Sequence, residues 1–149
     1  MENKLKHIGL GICLASLLMA FAMKTKRDVV LTDKAPKPIG PYSQAIKTDH
    51  SLFVSGQIAL TAEGKLDTSS VESECRQVME NIRAIVQASG YQMSDVVKSN
   101  IYTTNLAHFQ KINDVYGTYF PNDPPARETI QVNALPKGAR IEISVIAQK

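Results

Sequence analysis

Val71, Cys75, Val78, Ile82, Ile85 and Val86 recur at three- and four-residue steps, after two serines able to cap a helix, Ser69 and Ser70, and before Gly90. That spacing predicts one amphipathic helix of about five turns. An apolar stripe of this length must be covered by strands or by other helices, so it constrains the fold more than any other feature. Cys75 falls on the stripe and reads as a buried structural thiol.

Strand-forming segments lie on both sides of the helix. Ser43–Thr48 and Leu52–Leu60 have hairpin spacing across Asp49-His50-Ser51, which makes His50 a solvated turn residue, and Ala62-Glu63-Gly64-Lys65 is a second turn. A turn over Gln92 to Asp95 leads into a strand at Val96–Thr103. Asn105 can cap a second helix with Leu106, Phe109, Ile112, Tyr116 and Tyr119 or Phe120 on one face, stopped by Pro121. The tail reads as a hairpin: strand Arg127–Ala134, turn Leu135-Pro136-Lys137-Gly138, strand Arg140–Gln148. Alternation groups Ile130, Val132 and Ala134 against Arg127, Thr129 and Gln131, and Ile141, Ile143, Val145 and Ala147 against Glu142 and Ser144.

With a first strand inside 23–33, the expected architecture is α+β: a mixed sheet with two helices packed on one face. The opposite face is expected to carry Arg127, Thr129, Gln131, Glu142 and Ser144. Ile146 lies among them, so partial burial against another subunit is expected.

The N-terminus is a different kind of sequence. Lys4 and Lys6 precede an uncharged apolar run, Ile8 to Met23, that contains the small residues of Ala20-Phe21-Ala22. Residues 1–22 are a cleaved export signal on one reading. On the other, supported by Lys24, Lys26 and Arg27, residues 8–23 stay as an anchor in the inner membrane. Either puts the domain, 34–149 after a linker and first strand at 23–33, outside the cytoplasm, in the periplasm or tethered beside it.

The 149 residues, 44% hydrophobic, suit one core. Seventeen basic against fourteen acidic residues, with no basic run beyond Lys24-Thr25-Lys26-Arg27, argue against a nucleic-acid partner. Outside the leader only Cys75 remains, so the domain can form no internal disulfide. His108 has no histidine or cysteine at ligand spacing, which argues against a metal.

Arg127 is the only arginine between Arg83 and Arg140, placed where a half-buried strand begins. Its permanently charged, planar fork matches a carboxylate, so it is a candidate anchor for an acidic small molecule; a surface salt bridge is the alternative.

Gly40-Pro41-Tyr42-Ser43-Gln44-Ala45, Ser55-Gly56-Gln57-Ile58, Pro125-Ala126-Arg127, and Arg140-Ile141-Glu142-Ile143 with Val145-Ile146-Ala147 together resemble the Rid family, the reactive intermediate deaminases also called YjgF-like proteins. The resemblance runs from about Asp28 to Gln148. It implies a chorismate-mutase-like fold, a homotrimer with clefts between subunits, and cofactor-free hydrolysis of 2-imino or enamine acids to 2-keto acids and ammonia. By matching motif, Arg127 resembles the carboxylate anchor and Glu142 the residue that positions or activates water. Tyr42, Ser55, Gly56, Asn113 and Thr129 match other cleft positions. Singly, these residues also fit a strand-edge tyrosine, a bulge at Ser55-Gly56, a helix-surface Asn113 and a solvated Glu142.

If the final strands form a hairpin, Arg127 lies four residues from the position opposite Glu142, roughly 13 Å at strand rise. The two charges are then expected to meet in one site only across a subunit interface. Departures from the family pattern are Glu128 after Arg127, Ser144 in place of an acid, and Ala59-Leu60 where proline is frequent at the first position. Alternation turns Glu128 away from Arg127. A non-catalytic module that binds or senses small carboxylates in the cell envelope is the competing function; a ribonuclease finds little support without a basic patch interleaved with aromatics.

Overall fold

The structure, a computed structural model, describes residues 26–149. The expected signal or anchor at 1–22 lies outside the described residues. Strands β1 (Asp28–Val30), β2 (Ala45–Lys47) and β3 (Ser51–Gln57) are followed by helix α1 (Val71–Ala88) and strand β4 (Val96–Thr103). Helix α2 (Phe109–Gly117), β5 (Ala126–Gln131) and β6 (Ile141–Gln148) complete the chain. The six strands form one sheet in the order β1-β2-β3-β6-β4-β5, and α1 and α2 cover one face. The expected mixed α+β architecture is present.

Helix α1 forms where the stripe predicts. Ser70, not Ser69, is its N-cap and accepts from Ser73 N at 3.0 Å. Gly90, at φ +81°, takes the left-handed conformation that lets the chain leave the helix without a Cβ penalty. Cys75, Val78, Met79, Ile82, Ile85 and Val86 are all fully buried, and against them lie Leu52, Val54, Ile101, Ile141, Ile143, Val145 and Ala147 from the sheet. Each such aliphatic side chain contributes about 1.5–3 kcal/mol on removal from water.

The C-terminal hairpin does not form. β5 pairs in parallel with β4, and β6 lies between β3 and β4, antiparallel to both. Burial decides the placement. β6 carries four residues buried to 1% exposure or less on its inner face and takes the centre, whereas the polar β5 takes the edge. Helix α2 is the crossover that parallel pairing requires. Leu135–Gly138 is therefore not a hairpin turn but part of the return from sheet edge to centre, with Lys137 at φ 58° and Gly138 at φ 74°. β5 also ends at Gln131, short of the expected Ala134.

This register reverses the expected faces of β5. Arg127 pairs with Ser99, which also pairs with the core residue Val145, so Arg127 points to the helix side. Thr129 and Gln131 share that side; Gln131 Oε1 accepts from Leu106 N at 2.9 Å. Ile130 is instead on the open face with Tyr102 and Glu142, and is 43% exposed. Leu106 and Phe109, expected on the buried stripe of the second helix, are exposed. Leu106 belongs to a short 3-10 turn capped by Asn105, and only Ile112, Val115 and Tyr116 of α2 reach the core.

Candidate functional site

Glu142 lies on the open face of β6, and a bulge in β3 builds the site around it. Val54 pairs with Val145 and Gln57 with Ile143, so Ser55 and Gly56 together face the single residue Ser144. The bulge brings the Gly56 backbone against Glu142: a Cβ at residue 56 would collide with Glu142 Oε1 and stand 2.8 Å from its Cδ. A side chain at residue 56 would require the Glu142 carboxylate to swing away. Burial raises the Glu142 carboxyl above its ordinary value.

Ser43 and Gln44 hold the bulge in place. Ser55 Oγ donates to Ser43 O at 2.7 Å, and Ser55 N donates to Gln44 O at 3.0 Å. The buried Gln44 side chain also clamps the preceding segment. Its Oε1 accepts from Thr32 N at 2.7 Å, while Nε2 donates to Thr32 O, Ala35 O and Pro36 O at 3.0, 3.3 and 2.9 Å. The clamped segment supplies Pro36, Lys37 and Ile39, and the exposed Tyr42 stands beside them. The Tyr42 hydroxyl accepts from Ile39 N at 3.2 Å, which leaves its own proton to donate. On another wall the buried Asn81 donates to Ile58 O and Leu60 O at 3.2 and 2.8 Å. The result is a cavity of about 300 Å³ bordered by Tyr42, Ser55, Gly56 and Glu142, with apolar walls from Ile39, Ile58, Leu60 and Pro136.

Arg127 occupies a second site, on the other side of the sheet. Its Cζ lies 5.0 Å from the Tyr116 ring centroid and 5.8 Å from that of Phe109. The Tyr116 hydroxyl donates to Ser99 Oγ at 2.8 Å, fixing the ring beneath the guanidinium. Among the described residues Arg127 makes no ion pair. Glu128, directed away from it, lies 3.5 Å from Lys98 Nζ. Arg127 and Asn113 line a hollow of about 460 Å³ with Tyr116, Phe120, Pro124 and Pro125. Asn113 Oδ1 is buried there without a partner, an arrangement that costs about 1–3 kcal/mol unless something donates to it. Thr129 is half-buried two residues along the same strand face, beside Ile101.

One chain thus brings Tyr42, Ser55, Gly56 and Glu142 together, and Arg127 with Asn113, but not the two groups with each other. The aromatic bed of Arg127 is not evident from the sequence, in which Phe109 and Tyr116 fall on the apolar stripe of the second helix. Asn81 is not singled out there either, although a polar residue three after Val78 and four before Ile85 lies in the apolar stripe and asks for a buried partner. The apolar walls at Ile39 and Pro136 had no local signal.

Residues 32–149 match the family described as Endoribonuclease L-PSP. The chain belongs to this family. Within the L-PSP group it is 47% identical over 131 residues to Reactive Intermediate Deaminase A, chloroplastic, of Arabidopsis thaliana, covering 87% of this chain and 70% of that one. It is 44% identical over 125 residues to a 2-iminobutanoate/2-iminopropanoate deaminase of Dermatophagoides farinae, covering 83% and 97%. The crystal structure of E. coli TdcF with bound serine superimposes with a TM-score of 0.79 at 35% identity, covering 82% of this chain and 98% of TdcF. The Rid resemblance of the sequence motifs and the L-PSP family match agree.

Proposed function

We propose that the protein is a hydrolytic deaminase of 2-imino and enamine acids, working in clefts between the subunits of a homotrimer. The observation that carries this is the division of the site: a half-buried acid with a free hydroxyl donor on one sheet face, and on the other a guanidinium that makes no ion pair among the described residues. A second copy of the chain is needed to bring Arg127 of one subunit opposite Tyr42, Gly56 and Glu142 of its neighbour. Deaminase-named relatives support the reaction type. Serine, which TdcF binds, has a carboxylate beside a nitrogen-bearing carbon, as a 2-imino acid does.

In this reading Arg127 holds the substrate carboxylate through two hydrogen bonds and fixes the imine carbon relative to Glu142. Glu142 takes a proton from water as its oxygen bonds to that carbon, and the C=N π pair moves to nitrogen, which is protonated. The protonated Glu142 then gives its proton to the carbinolamine nitrogen, which leaves as ammonia as the C–N bond breaks, while the carboxylate so regenerated takes the hydroxyl proton and the C=O of the 2-keto acid forms. A carboxyl whose proton affinity is raised by burial suits both halves of this exchange. The Tyr42 hydroxyl and the Gly56 amide would stabilise the developing charge in this reading. Neither organic cofactor nor metal enters the steps.

The test generates 2-iminopropanoate and 2-iminobutanoate in situ with an amino-acid oxidase and follows their decay. Wild-type protein is expected to accelerate both, and Arg127→Ala to lose roughly ten- to a hundredfold in kcat/KM, the value of a charged hydrogen-bonded anchor. Binding of 2-oxobutanoate with no acceleration of either imine would contradict the deaminase reading and favour a carboxylate-binding module.

A further inference from the structure

The cavity around Glu142 contains a cation that the steps above leave unused. Lys37 is its one basic lining residue, and among the described residues Lys37 makes no ion pair, with Glu142 or with any other acid. Its backbone is nonetheless fixed. Pro36 and Pro38 flank it, each presetting its own φ, and the Gln44 clamp on Ala35 O and Pro36 O holds the segment from below. Lys37 is itself exposed, so its ammonium can swing over the cavity mouth from an anchored backbone.

We propose that Lys37 is a specificity-determining residue, which pairs with a second carboxylate and makes 2-imino dicarboxylic acids preferred substrates of the cleft. The inference rests on the deaminase reading, which assigns the α-carboxylate to Arg127 of the neighbouring subunit and so leaves Lys37 without a role on a monocarboxylate. A second carboxylate entering beside Glu142 meets a like charge. Lys37 is the group in the cavity that offsets this repulsion, and because it is not already paired, no ion pair has to break first. The apolar walls accept the methylene chain between the two acids.

The experiment compares 2-iminosuccinate and 2-iminoglutarate, produced from aspartate and glutamate by amino-acid oxidases, with 2-iminobutanoate. The quantity read is the ratio of kcat/KM for dicarboxylate to monocarboxylate, in wild type, Lys37→Ala and Lys37→Glu. Wild type is expected to favour at least one dicarboxylate. Lys37→Ala is expected to lower the ratio about fivefold, as suits a solvent-accessible charge pair. Lys37→Glu should lower it further, and added salt should narrow the wild-type preference. If 2-iminobutanoate is hydrolysed and neither substitution moves the ratio, the role of Lys37 is overturned while the deaminase reading stands. If no imine is accelerated, the reading fails and this inference with it.

Discussion

At the scale of single residues, the acidic half of the site depends on one missing side chain. Gly56 and Glu142 occupy adjoining space so closely that any Cβ at residue 56 displaces the carboxylate. Gly56→Ala is therefore expected to swing the Glu142 carboxylate aside with little change in a denaturant melt, and to lower imine turnover by about tenfold or more. Wild-type turnover by that variant would show that the position of Glu142 is not critical. Tyr42, Ser55, Gly56 and Glu142 were legible in the sequence because short motifs carry them. The buried amides of Gln44 and Asn81 were not read as supports, since their partners are backbone carbonyls supplied by other segments. Asn113 is the opposite case: singled out from its motif, it proves to have a buried carbonyl oxygen in want of a donor.

At the scale of elements, helices and strand periods were legible, but strand partners were not. Alternation correctly separated Arg127, Thr129 and Gln131 from Ile130, yet which group faces the helices depends on the neighbouring strand, and a period of two cannot say. A local turn suggested a hairpin; the more apolar β6 took the sheet centre and left β5 at the edge. Helix α1 shows a local signal that succeeded. Its entry is fixed by Ser70 and by Asp67, whose carboxylate accepts from Ser69 N at 2.9 Å, from Ser69 Oγ at 2.6 Å and from Ser73 Oγ. These bonds, those of Ser69 and Ser73 first, pull the Asp67 carboxyl down from 3.8 to about 2. A depressed carboxyl stabilises the fold above its unfolded value and loses that contribution as pH falls toward the folded one. Thermal melts of wild type and Asp67→Asn should accordingly differ most at neutral pH and converge as pH falls from 3.8 to about 2. A difference that persists below that window would mean that Asp67 acts through packing and not through its charge.

At the scale of the molecule, the helices among the described residues cover one side of the sheet. Its open face carries Phe53 at 45% exposure next to Ile46 and Ile146, an apolar row that favours burial by another copy. That one chain keeps Arg127 and Glu142 apart is expected from the sequence, but for a different reason. The sequence placed them on one face, too far apart along a hairpin; the structure separates them by the sheet itself. If the site is shared between subunits as proposed, light scattering should give a trimer mass, and a monomer mass would contradict it. The decisive measurement mixes two variants, Arg127→Ala and Glu142→Gln, each expected to be inactive alone, after dissociation and reassembly at equal amounts. If each cleft takes Arg127 from one subunit and Glu142 from the next, random mixed trimers recover about a quarter of the wild-type sites and a corresponding share of imine turnover. Confirmed mixed trimers with no recovered turnover would contradict the account.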